Sequence, residues 1–333
     1  MIHPAPSPLR GLGIALVGFA LYATHDAMIK ALGESYSVFQ IIFFAMLFAF
    51  VPMATIMLFD RAEANLLPRH PRLVLARAGL SIIAMASAFY AFTALPLAEV
   101  YALLFSAPLL ITAFSVPFLG EVVRGQRWAA VIFGLCGVLI VLRPGLTEIT
   151  LGHLAALTAA CASALASIVV RKIGGQERSA VLILYPLLVA MGAMAFTLPV
   201  VYKPVALADL AVMAAVGFLS VAAQYCMIFG YRSAPAAVIA PAQYSQILWA
   251  TLFGAVFFAE QPDIFVAIGS AVIIASGVFV VWRESRLNVS ARNPVLKTTA
   301  PRFDAGPQPL APAGGDGPDM GHPRRPQEAD PSA

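Results

Sequence analysis

The chain has 333 residues, of which 60% are hydrophobic and 11% charged, with a mean hydropathy of +0.84 and a formal net charge of +4. A soluble domain carries about 25% charged residues, so this chain cannot cover itself with a water-compatible surface, and the expected class is an all-α polytopic membrane protein. The pI near 9.1 does not indicate a nucleic-acid partner, because the positive side chains sit in short connections between apolar runs.

Residues 1–10 form a short N-terminus with one arginine and three prolines, too little for a cleavable signal. Ten apolar spans follow, at 11–32, 38–59, 73–94, 98–119, 128–143, 152–170, 180–201, 210–231, 236–258 and 264–282. Most are close to the roughly 20 residues that cross a bilayer core, and the shortest, 128–143, is expected to extend at its ends. From residue 284 to 333 the chain is proline-rich and poor in large apolar residues, which predicts a disordered tail. Cys136, Cys161 and Cys226 lie inside apolar runs without metal-ligand spacing and read as small buried side chains.

With the N-terminus inside, ten Lys or Arg fall in the cytoplasmic loops and before the first span, against Arg143 and Lys203 outside; the tail adds seven more inside. That bias predicts both termini in the cytoplasm; the expected location is a bacterial inner membrane.

The segment Leu95–Glu121 returns 139 positions later as Ala234–Glu260. Over residues 94–121 eight of 28 pairs are identical, among them Pro96/Pro235, Ser106/Ser245 and Glu121/Glu260. The first and sixth spans align at an offset of 141, pairing Lys30 with Arg171 and Gly33 with Gly174. The chain therefore reads as two five-helix units, 11–143 and 152–282. An odd number of crossings turns the second unit upside down, an arrangement that recurs in secondary transporters.

Polar side chains inside the spans supply the candidate site, because in hydrocarbon they usually face a protein interior or a water-filled cavity. Tyr22, Asp26 and Lys30 are four apart and form one stripe on the first span, where Asp26 and Lys30 can pair; His25 is one step off it. The sixth span carries Ser163, Ser167 and Arg171 at the same spacing, and the ninth Gln243, Tyr244, Gln246 and Trp249. Tyr101 and Phe105 on the fourth, Tyr90 on the third and Gln224 on the eighth complete the cavity candidates. Asp26 and His25 are the candidates for proton coupling. Lys30, Arg77, Glu121, Arg171 and Glu260 read as structural charges, with Arg77 snorkelling or ion-paired near the inner face, and Glu99 is a weaker candidate for an outer gate.

At these residues the chain resembles the drug/metabolite transporter superfamily, in its EamA-type branch. The resemblance covers about residues 11–283. It rests on FYAFTALPLAEVYALLFSAPLLITAFSVPFLGE, on GLCGVLIVLRPG and on YRSAPAAVIAPAQYSQILWATLFGAVFFAE. It implies a ten-helix basket with a central cavity between helices 1, 3, 4, 6, 8 and 9, alternating access, and cargo such as amino acids, amines or cofactors like riboflavin and S-adenosylmethionine. The second copy departs from the pattern at Ala259, where the first has a glycine, and at Ile247, where the first has Pro108.

The leading functional expectation is a secondary transporter of a small polar or amphipathic metabolite. A GxxxxGK[ST] phosphate loop is missing from the sequence, so ATP hydrolysis is not expected of it. An intramembrane enzyme would need a nucleophile–base pair or a metal cluster; of the five histidines only His25 lies well inside a span, and there is no HExxH motif. A membrane sensor or structural membrane protein is the remaining alternative. No cofactor or metal is expected. The expected partners are a small-molecule substrate, the lipid bilayer and, as a further expectation, a second copy in a homodimer.

Overall fold

The computed structural model describes residues 8–59, 67–121, 123, 125–173, 176–177, 179–234, 236–261 and 263–287. All regular elements among them are helical: α1 Pro8–Gly33, α2 Val38–Phe59, α3 Pro71–Ala94, α4 Leu97–Leu104, α5 Ala107–Leu119, α6 Gly125–Leu142, α7 Leu151–Ile173, α8 Ser179–Val201, α9 Leu207–Ser233, α10 Ala236–Ile239, a 3₁₀ segment Ala240–Tyr244, α11 Ser245–Phe258 and α12 Ile264–Leu287. The proline-rich tail expected from residue 284 lies outside the described residues beyond Leu287.

Among the described residues seven helical stretches are long and apolar enough to cross a membrane, with Val38–Pro52 and Ile264–Val280 as shorter apolar helices. The outward faces of the helices, α11 included, carry large apolar side chains such as Phe196, Leu248 and Phe257, a surface suited to lipid and not to water. Cys136 is exposed on that surface, not buried as expected, and Cys161 and Cys226 are half-buried.

Prolines place the helix ends. Leu95 and Ala234 each precede a proline, are pushed to extended backbone (φ −127°, ψ 162° and φ −146°, ψ 153°), and so stop α3 and α9. The two expected spans 98–119 and 236–258 are interrupted. Pro108 has no N–H for the carbonyl of Leu104, and the helix is broken at Phe105–Ser106, between α4 and α5. In the second copy Pro241 acts instead, within the 3₁₀ segment. The prolines stand at different positions, yet the same pair is flattened in both copies. Phe105 and Ser106 have ψ of −2° and −17°, and Tyr244 and Ser245 have −13° and −20°, against about −42° in a regular helix.

Helix packing follows a pattern of exchange between the halves. α1 lies along α9, and α3 along α7; α2 packs on α9, and α8 on α3; α11 meets α1, and α5 meets α7. α6 and α12 pack on each other, closely enough that a Cβ on Gly137 would come within 2.8 Å of the Gly269 carbonyl. The end of α1 meets the end of α3 through Gly33 and Thr93, while the start of α7 meets that same end through Gly152 and Leu95. Lys30, near the end of α1, and Arg171, near the end of α7, therefore stand at opposite ends of the bundle.

Candidate substrate site

α1 is apolar around most of its circumference and is packed by α9, α3 and α11, so its few polar side chains are enclosed. Asp26 is 4% exposed, and Tyr22 and His25 are buried with it. Tyr101, one turn into α4, donates its hydroxyl to Asp26 Oδ2. His25 Nδ1 lies 2.7 Å from Asp26 Oδ1. Gln246, in the first turn of α11, donates Nε2–H to the Tyr101 hydroxyl at 3.4 Å. Tyr22 donates to Gln224 Oε1 on α9 at 2.6 Å. Side chains from both broken helices are thus brought to one face of α1.

Aromatic rings wall this cluster. Phe89 meets His25 edge-on with centroids 5.8 Å apart, Phe92 and Phe105 flank Tyr101, and Tyr244 stands edge-on to Phe105 at 5.1 Å. Gln243 is buried on the 3₁₀ segment.

Other expected residues stand elsewhere. Tyr90 is 40% exposed, because Ala88, Phe89, Ala91 and Phe92 occupy the buried face of α3 and leave Tyr90 on the opposite one. Trp249 is half-buried and packs near Phe253. Ser167 donates to the carbonyl of Ser163 in its own helix at 2.9 Å, which satisfies it without a ligand. Asp26 and Lys30 do not pair; Lys30 Nζ reaches Glu260 Oε1 at 2.8 Å instead and donates to the Leu95 carbonyl at 2.5 Å. The counterpart residues make the counterpart pair, Arg171 with Glu121.

Arg77 does not snorkel, and among the described residues it finds no carboxylate. It is buried and donates to the carbonyl of Leu182 in α8. The reason is local chemistry: Pro186 lacks the N–H that would take the Leu182 carbonyl in a regular helix. That proline, four residues on, was the readable signal for a donor at this point. Glu99 is engaged rather than open. His153 Nδ1 accepts the backbone N–H of Thr150 at 3.0 Å, so its proton is on Nε2, which donates to Glu99 Oε1 at 2.8 Å. Nothing in the local pattern around His153 marked that partnership.

The sequence pattern of the EamA-like transporter family matches residues 9–143 and again residues 150–282. The chain belongs to that family. Among relatives, an S-adenosylmethionine uptake transporter of Rickettsia felis is 24% identical over 286 residues, covering 84% of this chain and 94% of its own. A riboflavin transporter of Rhizobium johnstonii is 28% identical over 200 residues, 58% of this chain and 64% of its own. The pseudopaline exporter CntI of Pseudomonas aeruginosa is 24% identical over 277 residues, 81% of this chain and 93% of its own. A solved crystal structure with 21% identity superposes with a TM-score of 0.56 over 84% of this chain and 99% of that chain, a likeness of fold. As an EamA-like transporter the protein is a multi-pass membrane protein that moves a small molecule, not an enzyme.

Proposed function

We propose that this EamA-like protein is an alternating-access secondary transporter of a small polar or amphipathic metabolite such as an amino acid, amine or cofactor. Ten membrane-crossing helices form two inverted five-helix repeats, residues 11–143 and 152–282, in a bacterial inner membrane with both termini cytoplasmic. Support comes from the double family match, from the exchange of packing partners between the halves, and from Lys30 and Arg171 standing at opposite ends. The named relatives carry S-adenosylmethionine, riboflavin and pseudopaline, all small metabolites, and include both an uptake system and an exporter. Two opposed copies of one unit can exchange conformations and open a shared site to either side.

The observation that carries this reading is Asp26, buried with His25 and Tyr101 where α4 and α11 both meet α1. A carboxylate inside a span costs up to roughly 2.5–3.5 kcal/mol of insertion free energy, the value at the helix centre, and a functional role accounts for bearing that cost. The imidazole of His25 and the carboxylate of Asp26, in contact at 2.7 Å, form the candidate relay through which cargo movement is coupled to a pH gradient. The test is uptake of S-adenosylmethionine and riboflavin into proteoliposomes with and without a pH gradient. Equal rates remove proton coupling, and an Asp26→Asn variant with full transport removes that residue from the mechanism.

A further inference from the structure

Gln224 sits well inside α9, 6% exposed, and its two amide atoms fare differently. Oε1 accepts the Tyr22 hydroxyl at 2.6 Å. Nε2 is shielded from solvent and has no hydrogen-bond partner among the described residues. A buried donor left unmade bears its full desolvation cost, and unsatisfied groups of this kind call for an explanation. Holding α1 to α9 does not supply one. The two helices are already in close contact at Gly18, where an added Cβ would meet Cys226 Cβ at 3.0 Å and the Ala223 carbonyl at 3.2 Å. A side chain without donors would accept Tyr22 equally well.

Tyr22 and Asp26 lie one turn apart on a single stripe of α1, roughly 5–6 Å between Cβ atoms. Gln224, bonded to Tyr22, and Tyr101, bonded to Asp26, therefore flank adjacent turns of that stripe. We infer that Gln224 Nε2 is a specificity-determining donor that takes a carboxylate oxygen of the cargo, while the carboxylate of Asp26 takes its ammonium group. The cargo class is then a metabolite with an α-amino acid end, and the aromatic rings of Phe105 and Tyr244 accommodate the remainder. Buried polar atoms of this type discriminate strongly, because a molecule lacking the matching group leaves them unpaired.

This inference rests on the transporter reading above, and the experiment separates the two. Uptake is measured into proteoliposomes for riboflavin and for three pairs: methionine and 3-methylthiopropylamine, lysine and cadaverine, and S-adenosylmethionine and its decarboxylated form. The expected result is transport of at least one amino acid member and not of its decarboxylated partner. Gln224→Glu keeps an acceptor for Tyr22 and replaces the donors with a negative charge. It raises KM for that cargo at least tenfold, read on protein that still unfolds cooperatively on heating. Tyr22→Phe, which removes the helix-to-helix bond and leaves the donors, is the structural control and moves KM less. Equal transport of both members of a pair, an unchanged KM in Gln224→Glu, or transport of riboflavin with no amino acid member overturns the inference while the transporter reading stands. Transport of nothing in the panel overturns both.

Discussion

Lys30 and Glu260, 230 positions apart in the chain, form an ion pair at 2.8 Å, and the other oxygen of that carboxylate accepts the Leu97 N–H at 3.0 Å. Glu260 thereby caps the first turn of α4, where a negative charge also meets the positive end of the helix dipole. Lys30 is one turn beyond Asp26 on α1, and Tyr101 is one turn beyond Leu97 on α4. The two helices are joined by two rungs, Lys30–Glu260–Leu97 and Asp26–Tyr101, and the first sets the position of the second. Gly254 makes room for the return of Glu260, since a Cβ there would stand 2.4 Å from Glu260 Oε2.

Glu260→Gln removes the charge that holds Lys30 and weakens the cap on α4. A partly buried pair broken on one side costs less than the 3–5 kcal/mol of a fully buried one, about 2 kcal/mol. The charge-swapped double variant Lys30→Glu/Glu260→Lys does not recover stability, because the Leu97 N–H needs an acceptor and the Leu95 carbonyl a donor. Thermal unfolding in detergent measures both, and full recovery in the swap would show that the charge pair alone matters.

The contact between Arg77 and the Leu182 carbonyl predicts a coupled pair of variants. Arg77→Leu alone leaves that carbonyl buried and unbonded, at about 1–3 kcal/mol. Pro186→Ala restores a backbone N–H four residues on. In that background Arg77→Leu is expected to cost at least 1 kcal/mol less. Additive effects in the double-mutant cycle would break the proposed link between the proline and the arginine.

Gly120 and Ala259 are counterparts, and both are left-handed, with φ of 67° and 52°. Glycine takes that conformation without strain, whereas alanine bears about 1 kcal/mol. Gly120→Ala is expected to lower stability by about that amount. Ala259→Gly is expected to raise it by less, because the unfolded chain also gains freedom. Thermal midpoints of the two variants should move in opposite directions.

Asp263 accepts the backbone N–H of Phe265 at 2.7 Å and pairs with Arg143 at 2.5 Å; the backbone bond first, and the guanidinium after it, hold its carboxyl below the ordinary range. A lowered carboxyl pKa in the folded state stabilises fully above the unfolded value, about 4. That contribution is lost as pH falls through the lowered value. The difference in thermal midpoint between the wild type and Asp263→Asn should be constant above about pH 5 and shrink below about pH 4. A difference that persists unchanged at pH 3 contradicts this account.

Several features were legible along the chain. Pro96 and Pro235, Ser106 and Ser245, and Glu121 and Glu260 recur at one spacing, and the flattened backbone falls on the same aligned pair in each copy. Tyr22, His25, Asp26, Tyr101, Gln224 and Gln246 were recognisable as polar side chains in apolar runs, and the fold encloses them together. The interruption of the second copy by Pro241 was not legible from the repeat, because Ile247 stands at the position aligned with Pro108 and the proline lies six residues earlier. Tyr90 was misplaced because an aromatic in a helix without a polar face could stand on either side of it.

Composition and repeat spacing were enough to establish an apolar helical chain built twice, because helix backbone bonds are local and the requirement for apolar side chains in lipid acts residue by residue. The choice of partner was decided by the tertiary structure alone. Lys30 had Asp26 four residues away and bonds Glu260; Arg77 bonds a carbonyl orphaned by a proline in another helix; Glu99 bonds His153. In hydrocarbon a polar atom goes to whichever complementary group the packed helices bring within about 3 Å, and local periodicity does not encode which helix that is.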